Sequence, residues 1–510
     1  MDKRPFFVHY PAIPLLVCFI IGIIVGHTYC LSIKYNWLIG LATLFLCFDL
    51  IFRRHYQIQT VSILITSFIV GIFTIVLHER QYLIQLPVPQ EVCKAIVIDE
   101  PIDNGKAYRA DLSIVSGSLK GRKVRAYFQK DSMNRANEAL QVGAGLILYT
   151  SFTSPRNHGK TNIDYITYLK TRGIVAQTYV DKESWMSSKV SLSTFSRLDK
   201  VRLYFLCLRH RLLSKYRDLG MAGQGLAVAQ AVTLGDKSGI TSSMRDLYSQ
   251  TGTSHLLALS GMHLGIVFSF LVLGTNRRRL GMVRSLLSIL AIWAYVFLVG
   301  TPISVVRAAI MFTIYIIISL SNRENLSINS LAFTAFIMLY INPFMLYDIG
   351  FQLSFLAVTS ILLLYRPITS LCPFMFKCLP VISYFFQLSF LSIAAQIGTL
   401  PLVVYYFGCI SLYFLPANIV VVPIILIVLY TSIILLAFSF IHPLAIMASS
   451  VVMTLIYAAH SFLSTVSSWP YATIDNIYIS IHQVILAYVI IICAYWLCII
   501  QVRAYLRQKM

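Results

Sequence analysis

Residues 412–439 have the sequence LYFLPANIVVVPIILIVLYTSIILLAFS, a run of 28 residues without a single Asp, Glu, Lys or Arg. A helix needs about 20 apolar residues to cross the hydrocarbon core of a bilayer, so this stretch predicts a membrane span. The whole chain has the same character, because 57% of its 510 residues are hydrophobic and only 12% are charged. This composition excludes an ordinary soluble protein, a disordered chain and a coiled coil.

Further apolar stretches of similar length extend this prediction to a polytopic α-helical membrane protein with about 12 spans. The intervening residues 221–252 contain Asp236, Lys237 and several glycines, and they are too polar for a span. Such a segment is typical of a re-entrant or interfacial element. The predicted spans lie near residues 11–30, 35–52, 58–78, 253–274, 284–300, 302–320, 327–341, 348–365, 379–400, 412–439, 443–467 and 478–501.

The positive charge is unevenly distributed along the chain. The sequence has 41 Lys and Arg against 20 Asp and Glu, a net charge of +21, and residues 80–220 alone hold 23 basic and 12 acidic side chains. Glycines and short alternating segments punctuate this part of the chain. We therefore predict one basic soluble domain inserted between membrane spans.

The orientation in the membrane follows from the charges of the short loops, because cytoplasmic loops of membrane proteins carry an excess of Lys and Arg. With the N-terminus placed inside, fourteen loop and terminal Lys and Arg fall on the cytoplasmic side and only Lys34 falls on the other. This asymmetry predicts a protein of the inner (cytoplasmic) membrane with both termini in the cytoplasm. It also places the basic domain outside the cell membrane.

The basic domain has the pattern of a small β barrel. Segments 92–98, 105–115, 121–129, 145–150 and 174–180 alternate as strands, and residues 162–171 have helical periodicity. Five strands with a helix before the last one are compatible with an extracytoplasmic, β-rich, OB-like domain. Residues 198–217 follow as a basic segment that is typical of an amphipathic helix at a membrane surface.

Basic and aromatic residues lie together in strand 121–129 and beside it. Cations contact phosphates and rings stack on bases, which is what a single nucleic-acid strand requires. The alternative is a basic solvated face without a ligand. The candidates for binding a DNA strand are Arg109, Arg122, Lys123, Arg125, Tyr127 and Phe128.

Polar side chains also occur inside the predicted spans, where each is costly and therefore a functional hypothesis. If 253–274 is one helix, His255 and His263 lie on one face, two turns apart. These polar residues either brace the bundle of membrane helices through hydrogen bonds, with Arg307 and Asp348 as a buried ion pair, or line a polar passage. The candidate residues are His255, Ser260, His263, Ser304, Arg307, Asp348, Gln352, Gln396 and Asn418.

A catalytic or metal site is not predicted. The sequence contains no CxxC, HExxH or His/Asp cluster, so no metal and no cofactor are expected. Ser260 and His263 lack an acidic residue nearby to orient the imidazole, and Asp348 with one of the two histidines is the remaining acid–base combination. We therefore do not expect an enzyme.

Four segments resemble the ComEC competence family of DNA-uptake channels, and a fifth, NHGKTNIDYITYLKTRGIVA (157–176), resembles its extracellular segment. The order and spacing of the four segments also match. They are GTSHLLALSGMHLGIV (252–267), TPISVVRAAIMF (301–312), NPFMLYDIGFQLSFLAVTSILLLY (342–365) and SIAAQIGTLPLVVYYFGCISLYFLPANIVVVPII (392–425).

The resemblance implies a channel that conducts single-stranded DNA into the cytoplasm during natural transformation. It implies membrane lipid, a separate nuclease and cytoplasmic DNA motor or DNA-binding proteins as partners, and a homo-oligomer is a further expectation. Many family members carry a C-terminal metallo-β-lactamase-like domain with clustered His and Asp ligands, which we do not expect in this chain, because its sequence contains no such cluster. The competing hypothesis is a secondary transporter of a small anionic substrate. The expected divisions are 1–79 (three spans), 80–197 (OB-like domain), 198–252 (amphipathic or re-entrant connection) and 253–510 (channel domain).

Overall fold

The computed structural model of the protein is mainly helical. It describes residues 10–29, 37, 40–41, 43–45, 55–83, 86–87, 90–105, 107–130, 140–157, 164–191, 195–273, 281–320, 327–371 and 379–508. The helices are α1 (Ala12–Thr28), α2 (Tyr56–Arg80), α3 (Tyr165–Thr171), α4 (Arg197–Asp218), α5 (Gly223–Leu234), α6 (Ser242–Gln250), α7 (Gly261–Leu273), α8 (Gly281–Leu298), α9 (Ile303–Leu320), α10 (Ser327–Ile341), α11 (Ile349–Leu371), α12 (Pro380–Phe407), α13 (Phe414–Ala437), α14 (His442–Ser467) and α15 (Ile481–Gln508). We refer to α5–α15 as the helical domain.

Several helices have the length and composition of membrane spans. Among the described residues, five helices are long and apolar enough to cross a membrane, and further apolar helices of 10–17 residues accompany them. The predicted span 35–52 lies mostly outside the described residues, as do most of the loop Lys and Arg residues used for orientation. The count of about 12 spans and the orientation therefore stay predictions. The five are Gln57–Arg80, Ile349–Ser370, Pro380–Phe407, Phe414–Ala437 and His442–Ser467.

Small residues allow the apolar helices to approach closely. A Cβ added at Gly22 of α1 would lie 3.2 Å from the Cα of Gly71 in α2. A Cβ added at Gly398 of α12 would lie 2.5 Å from the Cβ of Ser360 in α11. Because lipid and protein are equally apolar, such close backbone packing is what holds membrane helices together.

Two short helices lie between the basic domain and the long apolar helices. Helix α5 contacts α13 and α14, and Ala227–Leu234 are all buried. Helix α6 ends at Gln250, and the chain then forms a single 3₁₀ turn, Ser254–Leu256, before α7 begins at Gly261. The prediction of one span over 253–274 is therefore wrong, and His255 and His263 do not lie on one helix.

The basic domain, which we refer to as the β domain (residues 91–187), is built on one curved sheet. Its strand order is β6-β4-β3-β1-β5-β7, with β2 paired to β3. Strands β4 and β6 are parallel and the other pairs are antiparallel, while a bridge between Thr153 and Gln177 brings the region after β5 to β6. The strands are β1 (Glu91–Val97), β2 (Ile102–Asp103), β3 (Ala107–Ser116), β4 (Lys123–Gln129), β5 (Gly145–Thr150), β6 (Ile174–Val180) and β7 (Trp185–Ser187).

The strand predictions are confirmed, because β1, β3, β4, β5 and β6 each coincide with a predicted segment to within two residues. Helix α3 begins at Tyr165, where the Asp164 side chain accepts hydrogen bonds from the amides of Ile166 and Thr167. Alternating side chains from the strands fill one apolar core, with Leu112, Val124 and Phe128 fully buried. The two-residue strand β2 and the three-residue strand β7 are too short to give a periodic signal.

The β domain is fixed to the helices at two places. On one side, Lys170 Nζ of α3 lies 2.6 Å from Glu79 of α2, and Asn342 Nδ2 donates to the Thr171 carbonyl at 2.9 Å. On the other side, α4 packs against α8, and Arg209 of α4 lies 3.8 Å from Asp236. The buried residues of α4 contact the β domain and the helical domain, and the location of its exposed side at a membrane surface stays a prediction.

Candidate functional site

The non-helical segment between α6 and α7, residues 251–260, is the centre of the candidate site. We refer to it as the helix break. Its start is fixed by Thr253, whose amide donates to the Tyr248 carbonyl at 2.8 Å. Gly252 has a φ of +70°, and a Cβ there would lie 2.7 Å from the Cβ of Phe414. The break is therefore a defined structure held against α13.

Ser260 and His263 close the break by capping α7. The Ser260 amide donates to Nδ1 of His263 at 3.1 Å, and the Ser260 hydroxyl lies 3.0 Å from the same nitrogen. The bond from the Ser260 amide to the His263 side chain is one half of a capping box, with histidine in the position that Glu or Gln usually occupies. Because Nδ1 accepts, the ring proton is assigned to Nε2. That atom is buried without a hydrogen-bond partner among the described residues.

Helix α9 holds the break through two residues one turn apart. The Ser304 hydroxyl donates to the Leu259 carbonyl at 2.5 Å. Arg307 follows, with 7% of its surface exposed, and its guanidinium carbon is 5.7 Å from the ring centroid of Phe355. A Cβ at Gly261 would be only 3.7 Å from Arg307 Nη2, so the cation sits beside the first turn of α7.

Arg307 has no acidic partner in the described part of the chain. Its Nη1 donates to the backbone carbonyl of Ser354, and its Nε is buried without a partner. The ion pair with Asp348, which was one of the two alternatives, is not formed, because the Asp348 carboxylate accepts from the Phe351 amide at 2.9 Å and caps α11. A buried cation without a counter-ion is costly in a membrane interior.

The other helical-domain candidates are distributed around this centre. Gln352 donates to the Leu346 carbonyl at 2.9 Å and accepts from the Tyr406 hydroxyl at 3.0 Å. Gln396 is half-buried on α12, and Asn418 is buried on α13 with its Oδ1 unpartnered in the described structure. His255 has an exposed side chain in the 3₁₀ turn of the break. The structure thus joins Ser260 to His263 and places Ser304 and Arg307 of α9 beside the same part of the chain.

The structure corrects two of the DNA-binding candidates in the β domain. Arg125 is 1% exposed and donates through Nε and Nη2 to the Asp111 carboxylate at 2.8 and 3.0 Å. Phe128 is fully buried, because it lies on the opposite face of β4 from Lys123 and Arg125. Neither side chain is available to a ligand at the surface.

The electrostatics of Arg125 are those of a satisfied structural pair. Burial alone lowers the pKa of its guanidinium, but the hydrogen bond and the charge of Asp111 outweigh this and raise the pKa above its ordinary value. Tyr165 of α3 also accepts from Arg125, at 3.4 Å. Helix α3 thereby covers the outer face of β3 and β4.

Arg109, Arg122, Lys123 and Tyr127 are half-buried, so part of each remains accessible. Burial lowers the pKa of Lys123, and the nearby charge of Arg202 lowers it further. Tyr127 stacks on Tyr179 of β6, with centroids 5.1 Å apart and rings 16° from parallel.

Two exposed tyrosines were not among the DNA-binding candidates predicted from the sequence. Tyr179 of β6 is 64% exposed and Tyr149 of β5 is 50% exposed. The residues next to them, Thr178 and Thr150, are buried, and their hydroxyl oxygens are 2.5 Å apart. Both rings therefore point outward on adjoining strands. The alternation in β6 was the available signal, because Thr178 and Val180 face inward and Tyr179 must then face outward.

Long apolar helices with polar side chains buried among them define a membrane protein. The chain belongs to the Competence protein family, whose model matches residues 232–500. The match begins in α5 and includes the helix break, Ser304 and Arg307. The family resemblance inferred from the sequence is thereby confirmed.

Individual relatives match over parts of their length. The chain is 31% identical to ComE operon protein 3 of Bacillus subtilis (strain 168) over 244 residues, which are 47% of the chain and 30% of the relative. It is 26% identical to Recombination protein 2 of Haemophilus influenzae over 224 residues, 41% of the chain and 28% of the relative. An uncharacterized protein of Aquifex aeolicus is 32% identical over 161 residues, 31% of the chain and 38% of that protein.

The matches thus span only about a third of the length of these curated relatives. No solved structure matches the chain.

Proposed function

We propose that the protein conducts single-stranded DNA across the cytoplasmic membrane during natural transformation. The observation that carries this proposal is the Competence family match over residues 232–500. The same residues include a buried arginine that has no counter-ion among the described residues, at a helix break inside a bundle of apolar helices. DNA uptake accounts for both the family match and the buried arginine, because a polyanion that crosses a bilayer must meet positive charge along its path.

The β domain is proposed to be an OB-like barrel that receives the strand. Its strand order, with β4 and β6 parallel and the sheet nearly closed between β5 and β6, supports this fold. Tyr127, Tyr149 and Tyr179 offer outward-facing rings for base stacking, which is the main sequence-independent contact of single strands. Arg109, Arg122 and Lys123 would supply the cations.

The proposed topology places the β domain outside the cell membrane and both termini in the cytoplasm. A strand arriving from outside would then meet the β domain before the helical domain. A separate nuclease would supply the single strand, and a cytoplasmic DNA motor or DNA-binding protein would withdraw it. The channel-lining candidates nearest the helix break are Ser260, His263, Ser304 and Arg307.

Deletion of the gene tests the proposal directly. In a naturally transformable host that carries it, transformation by linear DNA should fall to background and return with the wild-type gene. Radiolabelled DNA should still bind to the cells but should not reach the nuclease-protected fraction. Unchanged transformation in the deletion strain contradicts the proposal.

A secondary transporter of a small anion is the second candidate, and the observation that favours it is Arg307 beside an interrupted helix. Purified protein in liposomes should then accumulate radiolabelled phosphate. Saturable phosphate uptake together with normal transformation in the deletion strain favours the transporter over the DNA channel.

A further inference from the structure

We infer that Arg307 and the first turn of α7 form a binding site for a phosphate group inside the helical domain. The inference rests on the proposed function only for the source of that phosphate, which we take to be the phosphodiester backbone of the strand. The site itself follows from the charges and donors that meet at the helix break.

Two positive groups face each other there. The N-terminus of a helix carries about half a positive charge, because its first amides point outward unpaired. Helix α7 has 13 residues and begins at Gly261, and Nη2 of Arg307 is 3.7 Å from the position of a Cβ on that glycine. A cation beside a helix N-terminus is repelled by it, so an anion bound between the two would be stabilised by both.

The part of the protein that the structure describes does not supply this anion. In the described chain Arg307 forms no ion pair, and of its donors only Nη1 makes a hydrogen bond. Residue 307 is 93% buried, since 7% of its surface is exposed. Nε2 of His263, which is fully buried in the same first turn of α7, is a second unpartnered donor.

The shape of the site favours a tetrahedral oxyanion. A planar guanidinium presents parallel N–H groups that match two phosphate oxygens. Glycine at position 261 leaves no side chain between this fork and the first-turn amides, so a ligand can approach the backbone closely. Ser304 lies on the same face of α9 as Arg307, and its hydroxyl donates to the Leu259 carbonyl. This hydrogen bond fixes the start of α7 relative to Arg307.

The competing explanation is that Arg307 only ties α9 to α11 through the Ser354 carbonyl and the Phe355 ring. A structural tie and an anion site give opposite results when the charge is removed. Loss of a tie lowers stability under all conditions. Loss of an uncompensated buried charge leaves the ligand-free protein at least as stable and abolishes the response to anions.

The first test measures the melting temperature of the full-length protein in lipid nanodiscs at constant ionic strength. Inorganic phosphate represents a free anion, and dimethyl phosphate represents the phosphodiester linkage. Dimethyl phosphate should raise the melting temperature of the wild type by about 2 °C or more at saturation. Arg307→Gln should lose this rise, Arg307→Lys should keep part of it, and Arg211→Gln, which removes an exposed arginine of α4, should keep all of it.

A response to inorganic phosphate alone would assign the site to a free anion and overturn the phosphodiester assignment. No response to either probe, or an undiminished response in Arg307→Gln, overturns the site. A lower melting temperature of both position-307 variants without ligand, with the anion response intact, identifies a structural tie and also overturns it.

The second test measures uptake of labelled DNA by cells that carry each variant in place of the wild-type gene. Arg307→Gln should reduce protected intracellular DNA at least tenfold at equal protein level, and Arg211→Gln should not. If deletion abolishes uptake but Arg307→Gln does not reduce it, the site fails and the proposed function stands. If deletion has no effect, the proposed function fails, and the melting-temperature test still decides the site.

Discussion

Two buried arginines distinguish the β domain from the helical domain. Both side chains are buried, since Arg125 is 1% exposed and Arg307 is 7% exposed. Arg125 forms an ion pair with the Asp111 carboxylate, whereas Arg307 contacts a backbone carbonyl and an aromatic ring. Burying a charge is costly unless it is paired. The pair in the β domain therefore has a structural role, whereas the charge of Arg307, which has no acidic partner among the described residues, is the basis of the proposed phosphate site.

The largest expected effect comes from breaking the pair of the β domain. Asp111→Ala would leave the Arg125 charge buried and uncompensated, which costs about 3–5 kcal/mol. The melting temperature and the protease resistance of the β domain in the full chain should both fall. Asp103→Ala is the matched control, because its ion pair with Lys130 is largely exposed and is worth less than about 1 kcal/mol. Equal effects of the two substitutions would contradict a structural role for the Asp111–Arg125 pair.

The next effect concerns the exposed rings of the β domain. Tyr179→Ala removes a stacking surface, and stacking contributes about 1–3 kcal/mol per base. The affinity of the full-length protein for a labelled single strand should fall accordingly, measured by fluorescence anisotropy at fixed salt concentration. Tyr204→Ala removes an equally exposed tyrosine on α4 and should leave the affinity unchanged. A loss of affinity in the Tyr204 control but not in the Tyr179 variant would contradict the proposal that the β domain binds the DNA strand.

These contrasts show what could and could not be predicted from the sequence. The five main strands were predictable because alternation has a fixed period of two, and the long helices because apolar runs of this length are rare. The Arg125–Asp111 pair was not predictable, because it depends on the register that places Asp111 opposite Arg125 on the neighbouring strand. Register is a property of the sheet and not of either strand alone.

The helix break was missed for a different reason. The residues LLAL in 256–259 are as apolar as a continuing span, so hydropathy alone extends the helix through them. The available signal was local: Ser260 followed three residues later by His263 has the spacing of a capping box. The sequence also left open an ion pair between Arg307 and Asp348, because the two opposite charges lie in predicted spans, whereas in the structure Asp348 caps α11.

A smaller effect is expected at the contact between α9 and the helix break. Ser304→Ala removes the donor to the Leu259 carbonyl and should destabilise the protein by about 1 kcal/mol, with reduced DNA uptake because the site beside Arg307 loosens. Thr359→Ala is the control, since Thr359 donates to a carbonyl of its own helix. A normal uptake level in Ser304→Ala would mean that this hydrogen bond does not position the site.

The smallest effect is a pH dependence at the start of α3. Burial alone raises the pKa of Asp164, but hydrogen bonds from Thr167 and Asn157 outweigh this and lower it. A carboxylate whose pKa is lower in the folded state stabilises above its unfolded pKa, and the contribution is lost as the pH falls through the folded value.

Protease resistance of α3 in the wild type should therefore decrease below about pH 4. Asp164→Asn should weaken the cap at neutral pH by roughly 0.5 kcal/mol and should remove this dependence on pH. A pH profile that is the same in both proteins would exclude Asp164 as its cause.

The most direct test of the central claim gives Arg307 the carboxylate that Arg125 already has. Position 355 is suitable, because the guanidinium carbon of Arg307 lies 5.7 Å from the ring centroid of Phe355. Phe355→Glu supplies an internal counter-ion, and Phe355→Gln introduces a side chain of the same size without the charge.

The measurement is protected intracellular DNA in cells that carry either variant at equal protein level. If Arg307 binds the phosphates of the strand, cells with Phe355→Glu should take up at least tenfold less DNA than cells with Phe355→Gln, and the Phe355→Glu protein should melt at the same or a higher temperature. Equal uptake by the two variants would contradict the account.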